Sequence, residues 1–152
     1  MGDIFWKPHL LTNLNGMLYF VQDDATHGEE LWRSDGTREG TYLLHDISPG
    51  ASGSQTTAMV GRNGYLYFAA GDDGCPDQLW RTNGLPDGAR KLADLDLPCS
   101  NDQGIFDLVP VADKLFLLAD GGLYVHDKQP GSSATWLAGF TWTIDDFDQG
   151  RV

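Results

Sequence analysis

Long apolar runs are missing from this 152-residue chain. No stretch approaches the about 18 apolar residues that a membrane-spanning helix needs, so membrane insertion is not expected. Stretches free of both glycine and proline are short as well. The longest, Met17 to His27, is 11 residues, which barely accommodates an average helix. Positive charge is scarce: 10 Lys and Arg stand against 22 Asp and Glu, a net charge of -12. Phosphate backbones repel such a chain, so nucleic acid is not an expected partner. The opening Met1 to Pro8 has neither the basic start nor the apolar stretch of a signal peptide. Reaction motifs are absent too, with no Gly-x-Ser-x-Gly, no His-Glu-x-x-His and no Cys-x-x-Cys. Glycine, in contrast, is plentiful at 19 residues, and short apolar stretches between turn signals define an all-β sequence.

The stretches repeat. Asn15-Gly16-Met17-Leu18-Tyr19-Phe20 returns 48 residues later (63 less 15) as Asn63-Gly64-Tyr65-Leu66-Tyr67-Phe68, and weakly as Asp113-Lys114-Leu115-Phe116-Leu117-Leu118. Glu30-Leu31-Trp32-Arg33-Ser34-Asp35-Gly36 returns as Gln78-Leu79-Trp80-Arg81-Thr82-Asn83-Gly84, then fades to Gly122-Leu123-Tyr124-Val125-His126-Asp127-Lys128. Thr41 to Ile47 corresponds to Ala89 to Leu95 and loosely to Ala134 to Ala138. Each unit reads as four short strands, in the second about Thr57–Val60, Tyr65–Ala69, Gln78–Arg81 and Ala89–Ala93. Asn63-Gly64 is a type I′ hairpin signal, because both residues tolerate positive φ. In the second strand Leu66 and Phe68 point one way and Tyr65 and Tyr67 the other, so both faces are apolar, as in a sheet sandwiched between neighbours. The expected architecture is β-propeller-like: three consecutive four-stranded antiparallel blades of an incomplete or open propeller, first strand innermost. A Greek-key sandwich would explain the short strands but not the period.

The repeat makes residues 1–152 a single array, with blades at about 5–47, 53–95 and 104–138. Residues 1–4 match the end of a preceding blade and 140–152 the start of a following one. Three blades do not close a ring, which leaves two expectations: further blades of a longer parent chain, or self-association through the outer blade faces.

Glu30 to Thr41, Glu-Leu-Trp-Arg-Ser-Asp-Gly-Thr-Arg-Glu-Gly-Thr, resembles the ELWxSDGT repeat of large bacterial extracellular and surface proteins. Asp46-Ile47 and the block from Asn15 to Phe20 also fit. The second unit departs at Gln78, Thr82-Asn83 and Ala89, and the third keeps little beyond Leu123-Tyr124. The resemblance implies a propeller-like fold and an exported, extracellular or cell-surface parent, and no general enzymatic activity. Cys75 and Cys99 lie in loops expected at the same end of the second blade, where a disulfide worth about 3 kcal/mol would suit an exported protein. Two unrelated thiols in a reducing compartment are the alternative.

Ser34-Asp35-Gly36-Thr37 and Thr82-Asn83-Gly84 read as structural turns, with side-chain oxygens bonding turn amides and glycine supplying positive φ. The first is similar to the Asp-box of sialidase-like propellers, but all six arginines fall at one blade end or in the terminal stretch, which leaves no cluster to grip a carboxylate. Trp32, Trp80 and Tyr124 take equivalent third-strand positions and read as interblade packing. Charge separates along the blades. Arg33, Arg38, Arg62, Arg81, Arg90, Lys91, Lys114 and Lys128 fall at the end of the hairpin turns, while Asp23, Asp24, Glu29, Asp72, Asp73 and further carboxylates fall at the other. No cofactor is required by this pattern, with Ca²⁺ a candidate at Asp23, Asp24, Asp72 and Asp73; turn capping by the same residues is the simpler reading. Two functions follow. The favoured one is a noncatalytic binding or structural segment mediating adhesion or contact with an unidentified protein or glycan. The alternative is part of a glycan-acting hydrolase or lyase whose catalytic residues lie outside the segment, for which paired carboxylates in an aromatic groove would be the sign.

Overall fold

Each sequence unit folds as one four-stranded antiparallel sheet. The computed structural model describes residues 7–72, 76, 78–86, 88–95, 97 and 104–139. The first sheet comprises β1 (His9–Leu14), β2 (Met17–Asp24), β3 (Gly28–Ser34) and β4 (Tyr42–His45). The second comprises β5 (Ala58–Arg62), β6 (Tyr65–Ala70), β7 (Gln78–Thr82) and β8 (Arg90–Asp94), and the third β9 (Ile105–Val111), β10 (Lys114–Ala119), β11 (Gly122–His126) and β12 (Thr135–Ala138). Strands pair in chain order in all three sheets, and no described residue is helical.

Turn chemistry sets the register. Asn15-Gly16 and Asn63-Gly64 have φ of 53° and 79°, and 50° and 78°, as a type I′ turn requires. They place Met17 opposite Leu14 and Tyr65 opposite Arg62. The third turn lacks the Asn-Gly signature; Ala112 takes the left-handed position at φ 50°, and Lys114 faces Val111. This corrects the match drawn from the sequence, which set Leu115 against Tyr65. Lys114 is the residue equivalent to Tyr65, and the one-residue shift exchanges the two faces of β10. In all three sheets the pairing of the third and fourth strands slips at the same point, leaving Leu44, Leu92 and Leu137 as the extra residue of a bulge.

The core lies between sheets. Leu66, Phe68 and Ala70 of β6 pack with Leu14, Tyr19, Leu31 and Leu44 of the first sheet. From the opposite face of the same strand, Tyr67 and Ala69 pack with Ile105, Leu108, Leu115 and Leu117 of the third. Phe68 and Leu66 are 0% exposed, so each contributes about 1.5–3 kcal/mol through burial. Contacts between sheets run chiefly from β1 to β5 and from β5 to β9, the first strands of their sheets.

One polar device is built twice across these interfaces. Arg33 Nη1 donates to Gly84 O at 2.8 Å, and the equivalent Arg81 donates to Lys128 O at 3.4 Å. Both accepting residues hold positive φ, 82° at Gly84 and 65° at Lys128. Each accepting carbonyl lies just past the third strand of its sheet, within reach of the arginine of the preceding sheet. Arg33 also lies over the Tyr42 ring and Arg81 over the Tyr65 ring.

The three residues expected between blades occupy different surroundings. Trp80 packs on the core between the first two sheets, stacked 6.5 Å from Phe68, and donates Nε1 to Gln78 Oε1. Tyr124 packs on the core between the second and third. Trp32, opposite Phe20, lies on the face of β3 turned away from the second sheet. Cys75 and Cys99 fall outside the described residues, as does Asp73.

Candidate functional site

A cleft of about 600 Å³ opens where β1, the β2–β3 hairpin and the segment leading into β5 meet. Its walls include His9, Asp23, Glu29, Ser52, Gln55, Thr56 and Thr57. Close backbone packing fixes its floor. Gly28 and Gly53, at φ 70° and 64°, lie so near each other's chain that a Cβ on either would strike backbone, and Ser54 N donates to Glu29 O at 2.9 Å. Two further wall residues, Leu10 and Gln55, hold left-handed φ without being glycine, at 53° and 50°. A local cost is therefore sustained around the cleft.

Its charge is unbalanced. Asp23 and Glu29 stand directly opposite in the β2–β3 register, an arrangement that disfavours two like charges. His9 Nε2 approaches Glu29 Oε1 at 3.7 Å, while the Asp23 carboxylate forms no hydrogen bond or ion pair with a described residue. Among the described residues the walls carry no Phe, Tyr or Trp. The sequence singled out Asp23 and Glu29 as acidic-end residues but not His9, Gln55 or the two threonines. A signal for Glu29 existed in its mirror placement from Asp23 about the hairpin; the segment leading into β5 carries none.

Two of the other carboxylates proposed as metal ligands, Asp24 and Asp72, are engaged by protein. Asp24 Oδ1 accepts the amides of Thr26 and His27 at 2.8 and 2.7 Å, and His27 Nδ1 lies 2.8 Å from Oδ2. The hydrogen bond with His27 holds the Asp24 carboxyl below its ordinary pKa and raises that of the imidazole. Asp72 Oδ1 accepts Gln78 Nε2 at 2.6 Å, and Lys91 Nζ lies 3.2 Å from Oδ2 and 3.7 Å from Asp94. Lys91 thus serves the acidic end, not the hairpin-turn end to which its place in the sequence assigned it. No group of three or more His, Cys, Asp or Glu among the described residues is arranged to hold a metal ion.

The expected turn residues form a repeated clasp. Ser34 Oγ accepts the Gly36 amide at 3.1 Å and donates to Thr41 Oγ1, whose own hydrogen goes to Thr37 O. Asp35 Oδ1 accepts the Thr37 amide at 2.9 Å and the Thr37 hydroxyl at 2.7 Å. In the second sheet Thr82 Oγ1 accepts from Gly84 N and Asn83 Oδ1 from Leu85 N, each at 3.1 Å. The third clasp uses different residues for the same bonds: His126 Nδ1 accepts Lys128 N at 2.8 Å and Asp127 Oδ1 accepts Gln129 N at 2.9 Å. With Nδ1 accepting, the neutral ring carries its hydrogen on Nε2 and donates it to Ser132 O at 3.1 Å.

At the opposite end a second cleft, about 660 Å³, lies between Tyr65, Tyr67 and Arg81 and the turn residues of the third sheet. Its cations have intramolecular partners: Arg81 lies over Tyr65 and bonds Lys128 O, and Lys128 Nζ bonds Ala112 O. The acidic cleft is therefore the better candidate for a ligand. No model of a known protein family matches the chain, and no curated protein does.

Proposed function

We propose that the three sheets are successive blades of a propeller-type array, and that the chain is a noncatalytic binding or structural segment of an exported bacterial protein, mediating adhesion or protein or glycan contact. The observation carrying the blade reading is the duplicated interface: an arginine of each third strand reaches a carbonyl of the next sheet, first at Gly84 and again at Lys128. Contacts through the first strands are what a radial arrangement would produce. The ELWxSDGT resemblance supplies the exported context.

Binding is assigned to the cleft of His9, Asp23 and Glu29. Its paired carboxylates, with no Phe, Tyr or Trp among the described walls, fit recognition better than glycan cleavage. Screening the 152-residue chain against glycan and protein surfaces, with parallel assays for released sugar, tests this. Binding weakened by Asp23→Asn or Glu29→Gln, without turnover, is expected. Sugar release abolished by Glu29→Gln would overturn the noncatalytic reading.

A further inference from the structure

We propose that the chain associates head to tail with a second copy, the outer face of its third sheet docking on the outer face of the partner's first sheet. The proposal rests on the blade reading, since it extends the interface already built twice. The face of one sheet that meets the next consists of Tyr19, Leu31 and Leu44 in the first sheet, and of Tyr67, Leu79 and Leu92 in the second. The strand registers place Phe116, Leu123 and Leu137 at the same positions in the third sheet, joined by Leu118 and Val125. These residues are apolar throughout, and no described strand lies against them. Leu118 is 43% exposed, whereas its equivalent Ala69 is fully buried under the third sheet.

Two interfaces within the chain specify what covers such a face: a sheet presenting the positions of Leu66, Phe68 and Trp80. Leu18, Phe20 and Trp32 occupy those positions in the first sheet. Leu18 is 36% exposed, although Leu66 is 0% exposed. Phe20 is 8% exposed and Trp32 Nε1 is buried, so Leu18 is the open part of this face. A contact between unlike faces is heterologous, so it grows in one direction and closes only if the rotation between copies allows.

Complementary variants test the polarity of the contact. Leu18→Lys blocks the first-sheet face and Leu118→Lys the third-sheet face; both sites are exposed, so the fold should survive, as circular dichroism would verify. In sedimentation velocity the unmodified chain should associate with rising concentration, and each variant alone should remain a monomer. An equimolar mixture should form a one-to-one dimer, because each variant supplies the face that the other lacks. A monomeric unmodified chain would overturn the proposal, as would association of Leu18→Lys alone, which would signify like-face pairing of third sheets. The near-UV circular dichroism lost on adding Trp80→Phe to the Leu18→Lys variant reports packing at that interface within the chain independently of association.

Discussion

Proton linkage makes three residues informative. His27 and Asp24 form an ion pair at the β2–β3 turn, raising the imidazole pKa and lowering the carboxyl pKa. The histidine's contribution is complete below its unfolded pKa of about 6.5 and is lost as pH rises through its folded value. The aspartate's is present above about pH 3.9 and is lost as pH falls through its folded value. The turn is therefore held best between the two, and Asp24→Asn should return the His27 titration measured by NMR toward its ordinary value. Glu30 behaves in the opposite sense. It is 0% exposed, and burial raises its pKa against the pull of the Ser48 amide, which bonds Oε1 at 2.8 Å. The folded chain thus binds this proton more tightly than the unfolded chain, and stability declines as pH climbs from about 4.3 through the folded value. Gln78 fills the equivalent site in the second sheet without that penalty. Glu30→Gln should accordingly gain stability over the unmodified chain between pH 4 and 7, with the gain growing with pH in urea unfolding.

At the scale of elements, the turns decide what could be read in advance. Asn-Gly announces two hairpins because it satisfies two positive φ angles at low cost, and both registers were legible from it. Ala112 performs the left-handed part of that task with no sequence signature, which is why the sequence match of the third unit falls one residue out of register. The strain should be recoverable. Ala112→Asn is expected to raise stability by about 1 kcal/mol, the scale of the left-handed cost for an L-residue, measured as a shift in the urea midpoint at unchanged slope. The clasps show the same limit. Ser34, Thr82 and His126 accept the amide two residues on, yet a histidine does not look like a serine in a sequence comparison. Replacing His126 with Phe removes both the acceptor for Lys128 N and the donor to Ser132 O, and should cost about 1–3 kcal/mol in the same measurement. The cleft was the least legible feature, because it joins the β2–β3 hairpin to a segment whose residues have no periodic pattern.

For the whole molecule, the central position of the second sheet sets a gradient of protection. Its strand β6 is covered on both faces, while among the described residues the third sheet is covered on one. Amide hydrogen exchange should be slowest in β6, with β11 and β12 exchanging sooner; equal or greater protection of β12 would contradict this order. The two-sided apolar pattern of β6 already implied such a sandwich, whereas its neighbours' exact faces depended on register. The fourth strands carry a further consequence. They form one margin of every sheet, where unpaired backbone groups invite another chain to add a strand, and repetition multiplies that hazard. The bulges at Leu44, Leu92 and Leu137 interrupt the regular spacing of donors and acceptors on each of these margins. Fibrillar growth through sheet edges is thereby discouraged.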